Sequence, residues 1–284
     1  MIRSPLRYPG GKSKALQQIQ RHMPSGFEEF REPFVGGGSL FISVRQRYPG
    51  VRVWINDLNH ELFSFWVCAR DHLDELVSRV LAIKETRADG RELFQELTTV
   101  DVNGLTQLER AVRFFVLNRI SFSGTVEAGG YSERAFHARF TYSSIERLRA
   151  LEYVMDGVRI TDLDYREVIH QPGEGVFVFL DPPYYSATDS RLYGRNGVLH
   201  TVFDHGVFAD EMRKCPHQWL ITYDDSETIR TNFPFAHQYA WTLQYGMNNY
   251  KRSYAEKGNE LIITSYPVDN SSGSSSMSCG RAYN

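Results

Sequence analysis

Val176-Phe177-Val178-Phe179-Leu180-Asp181-Pro182-Pro183-Tyr184 decides how this chain is read. Five apolar residues in succession, rich in β-branched and aromatic types, predict a strand buried on both faces. The run then meets an acid, two prolines and a tyrosine. Proline lacks an N–H and fixes φ, so the pair ends the hydrogen-bond ladder and stiffens the turn that follows. A carboxylate at the carboxyl end of a central strand stands where open α/β sheets bind their ligands. Taken alone, an Asp-Pro at a strand end also fits an ordinary solvated turn, so the rest of the chain has to be weighed with it.

Toward the N-terminus, Phe30-Arg-Glu32-Pro33-Phe34-Val35-Gly36-Gly37-Gly38-Ser39 reads as a short strand and a triple-glycine turn, opening a helix to about Arg47. Glycines let backbone approach a ligand closely, and a helix start adds unpaired N–H donors. The strict dinucleotide pattern fails, because Phe41 stands at the third glycine position. Val51-Arg-Val-Trp-Ile-Asn56-Asp57 alternates like a second strand, and Asp57 follows Gly36 by 21 residues. An acid about 20 residues after such a turn meets ribose hydroxyls, so the unit points to a bound nucleoside. Gly11-Lys12-Ser13 is not a phosphate loop: Leu6 stands where that motif needs its first glycine, and no strand precedes it. It leaves a turn with an aromatic face, Tyr8, and a cation, Lys12, leading into a helix from Lys12 to about His22.

Between Asn59 and Leu151 the strand pattern gives way to helical periodicity over 60–83, 105–119 and 143–154, predicting an inserted helical domain. The stretch 118–140 is rich in Gly, Ser and aromatic residues and too long for a casual connection. Seven arginines against four glutamates over 105–150 make this segment locally basic in a chain of net charge -2. Such a surface suits phosphates and base edges. The α/β pattern resumes with a strand ending in Asp162-Leu-Asp164-Tyr165. After Asp181 come a lid-like stretch at 185–204, a helix near 205–214, a strand Trp219–Asp224 and a helix near 226–232. Strands near 237–243 and 260–266 have so short a link that they must pair antiparallel. Residues 269–284 form a Ser/Gly-rich tail expected to be disordered.

Hydrophobic residues at 42% and charged ones at 23% suit a globular chain, and the charge of -2 argues against nucleic-acid binding by bulk charge alone. Three dispersed cysteines make no metal or disulfide pattern. With neither a signal-like N-terminus nor a membrane-length apolar run, the expected compartment is the cytoplasm.

Arg7-Tyr8-Pro9-Gly10-Gly11-Lys12, Glu32–Gly38, Asn56-Asp57, Asp164-Tyr165, Asp181–Tyr184 and Glu260-Leu-Ile-Ile-Thr, in that order, resemble the motifs of the D12-class (Dam-type) adenine-specific DNA methyltransferases. The resemblance covers residues 5 to 266. It implies an α/β fold: a seven-stranded Rossmann-like methyltransferase sheet with an inserted helical target-recognition domain. The catalytic domain would comprise 1–58 and 155–268, and the insertion 59–154. It further implies S-adenosyl-L-methionine as donor, S-adenosyl-L-homocysteine as product, and no metal. Tyr8 would pack on the donor's adenine and Lys12 lie beside the donor. The turn carrying Pro33, Phe34, Gly36 and Gly38 would run past its amino-acid part. Asp57 would take the ribose hydroxyls, Asp164 and Tyr165 the adenine edge, and Asp181 also borders the donor.

Asp181, the Pro182 carbonyl and Tyr184 are the expected catalytic groups. An exocyclic amine conjugated into a purine is a poor nucleophile. Two acceptors on its N–H bonds would draw it toward tetrahedral geometry, and orientation supplies much of the rate. The target must leave the duplex, and Tyr184 would be the face on which it stacks. Arg119, Ser123, Glu127, Arg134, Arg139, Asn249, Lys251 and Arg252 are the candidate DNA contacts. Glu127 stands where the Dam-type enzymes carry a guanine-reading arginine. A glutamate cannot donate to guanine, so a target other than GATC is expected. Double-stranded DNA is the expected partner, with no membrane, a cognate restriction endonuclease as a candidate partner, and a monomer or weak dimer as the working state. The alternatives are an N4-cytosine methyltransferase, whose amine needs the same acceptors, and a non-catalytic DNA-binding module keeping the fold.

Overall fold

The computed structural model describes residues 1–8, 10–126, 129–185, 203–244 and 257–268. Glu127, Asn249, Lys251, Arg252, most of the expected lid and the tail from 269 lie outside the described residues.

The strand-forming runs read from the sequence assemble into one sheet. Its members are β1 (Glu29–Glu32), β2 (Arg52–Asn56), β3 (Arg159–Thr161), β4 (Val176–Leu180), β5 (Gln218–Asp224), β6 (His237–Gln244) and β7 (Lys257–Thr264), in the order β3-β2-β1-β4-β5-β7-β6. The first five run parallel, and β7 lies antiparallel to both β5 and β6. The chain winds outward from β1 through β2 to β3, then returns to the other side of β1 for β4 and β5. The carboxyl ends of β1 and β4 therefore flank the topological switch point, where sheets of this kind leave a crevice. The glycine turn follows β1, and Asp181 follows β4.

Twelve helices are present among the described residues. They are α1 (Leu16–His22), α2 (Ser39–Arg47), α3 (His60–Asp71), α4 (Leu73–Thr86), α5 (Gly90–Thr99) and α6 (Gln107–Ile120). The others are α7 (Glu133–Arg139), α8 (Tyr142–Arg149), α9 (Glu152–Met155), α10 (Tyr165–His170), α11 (His205–Lys214) and α12 (Glu227–Asn232). Several predicted boundaries move: residues 143–154 divide into α8 and α9, and the last strand is Lys257–Thr264 instead of 260–266. Residues 60–83 are two helices, because His72 leaves helical geometry at φ -138° and ψ 36°. Lys12–Lys14 form only a 3₁₀ turn before α1.

Strand alternation divides the core into two layers. Phe30, Phe177, Phe179, Leu220 and Ile262 face a layer containing Ile19 of α1, Phe41 of α2 and Phe65 of α3. Val178, Leu180, Ile221, Tyr223 and Ile263 face Ile169 of α10, Phe208 of α11 and Ile229 of α12. The first layer continues without a break into the helices after β2, where Phe65 stacks on Phe115 of α6 with centroids 6.0 Å apart. None of the helices among the described residues is long and apolar enough to cross a membrane.

Candidate active site

The same alternation that sorts the core also sorts the polar strand ends. Counting by twos from Ile55, Phe30, Phe179, Leu220 and Ile262 places Asp57, Glu32, Asp181, Thr222 and Glu260 on one face. All lie at the crevice edge of the sheet, because β7 runs backwards and brings Glu260 opposite Asp224. Several carboxyl groups thus share one partly dry space, and their proton affinities record it. Burial pushes Asp57 up to about 6 and Glu260 up to about 7. Glu32 is raised well above the carboxylate range, again by burial, with Asp181 and Asp57 adding to the effect.

The glycine turn is shaped by what crowds it. Gly38 sits in the left-handed region at φ +67°, and a Cβ there would lie 2.4 Å from the Phe41 ring and 2.7 Å from Trp66. Trp66 Nε1 donates to the Gly36 carbonyl at 3.2 Å, and the Ser4 hydroxyl donates to the Gly37 carbonyl. The ring of Tyr8 rests against Gly36 and Gly37. Asp57 closes the unit from β2: one oxygen accepts from Gly36 N at 2.9 Å, the other from Asn59 N at 3.1 Å. Glu32 reaches under the turn to accept from Phe41 N at 3.0 Å, which caps α2 from inside the protein.

Asn56, quoted in the sequence only as part of a motif, knots three strand ends together. Its amide donates to the carbonyls of Pro33 and Leu163 at 3.0 and 2.9 Å, and its oxygen accepts from Thr161 Oγ1 and Leu163 N. That fixes Pro33, Phe34 and Asp164-Tyr165 relative to one another. Phe34 lies 5.5 Å from Tyr165, and Phe203 contacts both rings, forming an aromatic wall beside the acids. The carboxylate of Asp164 caps α10 at Arg166 N and forks onto the Arg166 guanidinium at 2.7 and 2.9 Å. That pairing holds it below the usual carboxylate range.

At the end of β4, Asp181 accepts at both oxygens. Thr222 Oγ1 donates to Oδ1 at 2.8 Å, and Lys12 Nζ lies 2.7 Å from Oδ2. Only 7% of Lys12 is exposed, so its ammonium has to find partners inside the protein. It also donates to the Gly10 carbonyl at 2.9 Å and lies 4.8 Å from the centroid of the Tyr184 ring. The Tyr184 hydroxyl in turn donates to Glu260 Oε2 at 2.6 Å. Lys12, Asp181, Tyr184, Thr222 and Glu260 are therefore one connected cluster, although they come from four separate stretches of chain.

A family model described as D12 class N6 adenine-specific DNA methyltransferase matches residues 8–247. The chain belongs to that family. Relatives of this methyltransferase include the type II methyltransferase M1.LlaDCHI of Lactococcus lactis subsp. cremoris, 25% identical over 215 residues, covering 72% of this chain and 71% of that one. The type II methyltransferase M.MjaIII of Methanocaldococcus jannaschii is 24% identical over 196 residues, covering 63% and 68%. The DNA adenine methylase of Escherichia coli strain K12 is 27% identical over 191 residues, covering 63% and 64%.

For the methyltransferase's expected DNA contacts, one correction is required. Arg119 is buried on α6, donating to the carbonyls of Pro5 at 2.7 Å and Arg139 at 3.0 Å. Burial and the neighbouring Arg147, Arg7 and Arg139 lower it to about 9. With 4% of it exposed and two of its N–H donors on the protein's own backbone, it braces the N-terminal segment instead of presenting its guanidinium on the surface. Beside it, Asn118 locks the same segment, accepting from Arg7 N at 2.9 Å and donating to Arg7 O at 2.6 Å. Ser123, Arg134 and Arg139 are exposed, and Ser123 takes φ +53° on a loop that also presents Phe122 to solvent. The sequence reading left Thr222, Glu32 and Glu260 without roles; strand parity counted from Asp181 is the signal that would have found the first.

Proposed function

We propose that this chain transfers a methyl group from S-adenosyl-L-methionine to the N6 amine of an adenine flipped out of a specific double-stranded DNA sequence other than GATC. One observation carries the reading: the Lys12 ammonium hydrogen-bonds Asp181 Oδ2 while lying against the Tyr184 ring. A carboxylate acceptor beside an aromatic ring suits an N–H donor carried on a flat ring, which describes an exocyclic base amine. Oδ2 keeps a lone pair beyond its contact with Lys12 for such a base to use. Asp181, with the Pro182 carbonyl, then accepts the two amine hydrogens and directs the nitrogen lone pair out of the ring plane. Tyr184 supplies the stacking face, worth about 1–3 kcal/mol per base.

The residues present fit the proposed donor. The Gly36–Gly38 turn that would run past its amino-acid part is packed from the protein side by Tyr8, Phe41 and Trp66, which fixes the course of the turn beside Asp57. Its ribose needs an acceptor, and each Asp57 oxygen keeps a lone pair beyond the bond it already accepts. Its adenine edge is assigned to Asp164 and Tyr165, whose ring is held by Phe34, while Tyr8, assigned to the adenine face, lies against Gly36 and Gly37. When bound, the donor would supply an electrophilic sulfonium methyl, its S–CH3 bond breaking as the N–CH3 bond forms, with S-adenosyl-L-homocysteine leaving as the neutral thioether and the proton lost by the amine passing to water. No other group on the chain has to form a covalent bond.

DNA recognition is assigned to the exposed part of 118–140, with Arg134 and Arg139 toward phosphates and Ser123 and Glu127 toward base edges. Asn249, Lys251 and Arg252 are assigned to the same duplex. A cytosine-directed enzyme would use the same acceptors, and the family match favours adenine.

The test is expression in a methylation-free host followed by sequencing with detection of modified bases. N6-methyladenine in one recurring context is expected, with Asp181→Ala abolishing it while donor binding persists. Full activity in Asp181→Ala would overturn the mechanism. Complete protection of every GATC site would overturn the assignment of specificity.

A further inference from the structure

We propose that Thr222 is a positioning residue for methyl transfer, pinning one carboxylate oxygen of Asp181 so that the other is turned toward the amine. The inference rests on the catalytic reading of Asp181 and goes beyond it.

The placement follows from strand register. Leu180 pairs with Ile221 across β4 and β5, so the next residues, Asp181 and Thr222, emerge side by side on the same face. Thr222 is fully buried, and its hydroxyl donates to Asp181 Oδ1 at 2.8 Å. The two side chains differ in stiffness. Threonine is β-branched and restricted at χ1, so its hydroxyl direction is set by the strand. The terminal torsion of aspartate is broad and roughly two-fold, so an unheld carboxylate swings. A stiff donor therefore fixes a soft acceptor.

The second contact on Asp181 does not share this role. Lys12 contacts Oδ2, the oxygen assigned to the incoming amine, from the end of a flexible four-carbon stem that cannot fix the carboxylate plane as a stiff strand residue does. Thr222 remains on Oδ1 throughout. The bond fixes the plane of the carboxylate and with it the direction in which Oδ2 presents its lone pairs. A threonine chosen only to fill a strand would not need this partner: valine has the same shape and would leave no hydroxyl to satisfy.

Thr222→Val tests the idea by removing the hydroxyl and keeping the volume. Single-turnover transfer from radiolabelled S-adenosylmethionine to DNA of a methylation-free host is expected to slow about 10- to 100-fold, the loss of one buried hydrogen bond to a charged group. Affinities for donor and DNA should stay within about two-fold, since the bond touches neither, and Thr222→Ser should recover most of the rate. In an Asp181→Asn background Thr222→Val should cost little further, because the two residues act as one unit. If Thr222→Val fails to fold, Thr222→Ala is measured against Thr222→Ser with the same expectations. A wild-type rate in the folded variant, or a Ser variant as slow as Val, overturns the inference. If Asp181→Ala is inactive and Thr222→Val is normal, only this inference falls; if Asp181→Ala is active, the catalytic reading falls with it.

Discussion

Replacing Glu260 with glutamine should make the protein more stable at pH 8 and change it far less at pH 5. Glu260 is 2% exposed, and burial raises its carboxyl to about 7 from an ordinary 4.5. The Tyr184 hydroxyl and Lys12 favour the charged form, Asp181 and Asp224 oppose it, and burial prevails. The folded carboxyl holds its proton more tightly than the unfolded one, so between these two values the native state binds more protons. Stability contributed by this group is therefore intact below about 4.5 and is lost as the pH rises through about 7. The separation of about 2.5 between the two values corresponds to about 3 kcal/mol at the upper end. Glutamine mimics the protonated acid at every pH and still accepts from Tyr184, although its amide N–H groups need partners at a cost of about 1 kcal/mol. Urea denaturation of wild type and Glu260→Gln at pH 5 and pH 8 reads the difference directly. The variant's relative stability should improve by about 2–3 kcal/mol between the two conditions. Glu32 and Asp57 also titrate, but they do so in both proteins and cancel. An identical difference at both pH values, or a variant that loses ground at pH 8, would show that Glu260 is not held against its charge.

Gly38→Ala should destabilise the protein by about 2–4 kcal/mol in the same assay, since the added methyl meets two aromatic rings at a left-handed position. Arg119→Met should lower stability by about 2–4 kcal/mol, because the Pro5 and Arg139 carbonyls lose buried donors. The salt dependence of DNA binding by that variant should not change. Arg139→Ala should do the reverse. Stability should hold within about 0.5 kcal/mol, while the slope of log affinity against log salt becomes shallower by about 0.9, the value of one phosphate contact.

The strand runs along the chain and the row of strand-end acids were legible because both depend on alternation and on the acid-after-apolar pattern, which are local. The order of the strands in the sheet depends on long-range pairing and was not legible. The helices α5 and α7 were not read. The first opens on Gly90 behind an Asp89 cap, and the second starts after Ser132 inside a Gly- and Ser-rich stretch that looks like a loop. Their caps supply what their periodicity lacks. The burial of Arg119 was illegible for a different reason. Its acceptors, Pro5 and Arg139, lie 114 and 20 residues away, and nothing in the composition of 105–150 separates a guanidinium aimed at DNA from one aimed at backbone. Lys12 on Asp181 was hidden in the same way, 169 residues apart in sequence and joined only by the crevice.

The paired hydrogen bonds between Asn118 and the Arg7 backbone have a bearing on protein engineering. They splice the segment that carries Tyr8 and Lys12 to the helix from which the proposed recognition loop departs. Specificity in such an enzyme is then not a cassette that can be cut at the ends of the helical insertion. A chimera that imports a relative's residues 59–154 but keeps the native residues 4–8 inherits a mismatched seam, and it should regain activity when both pieces are exchanged together.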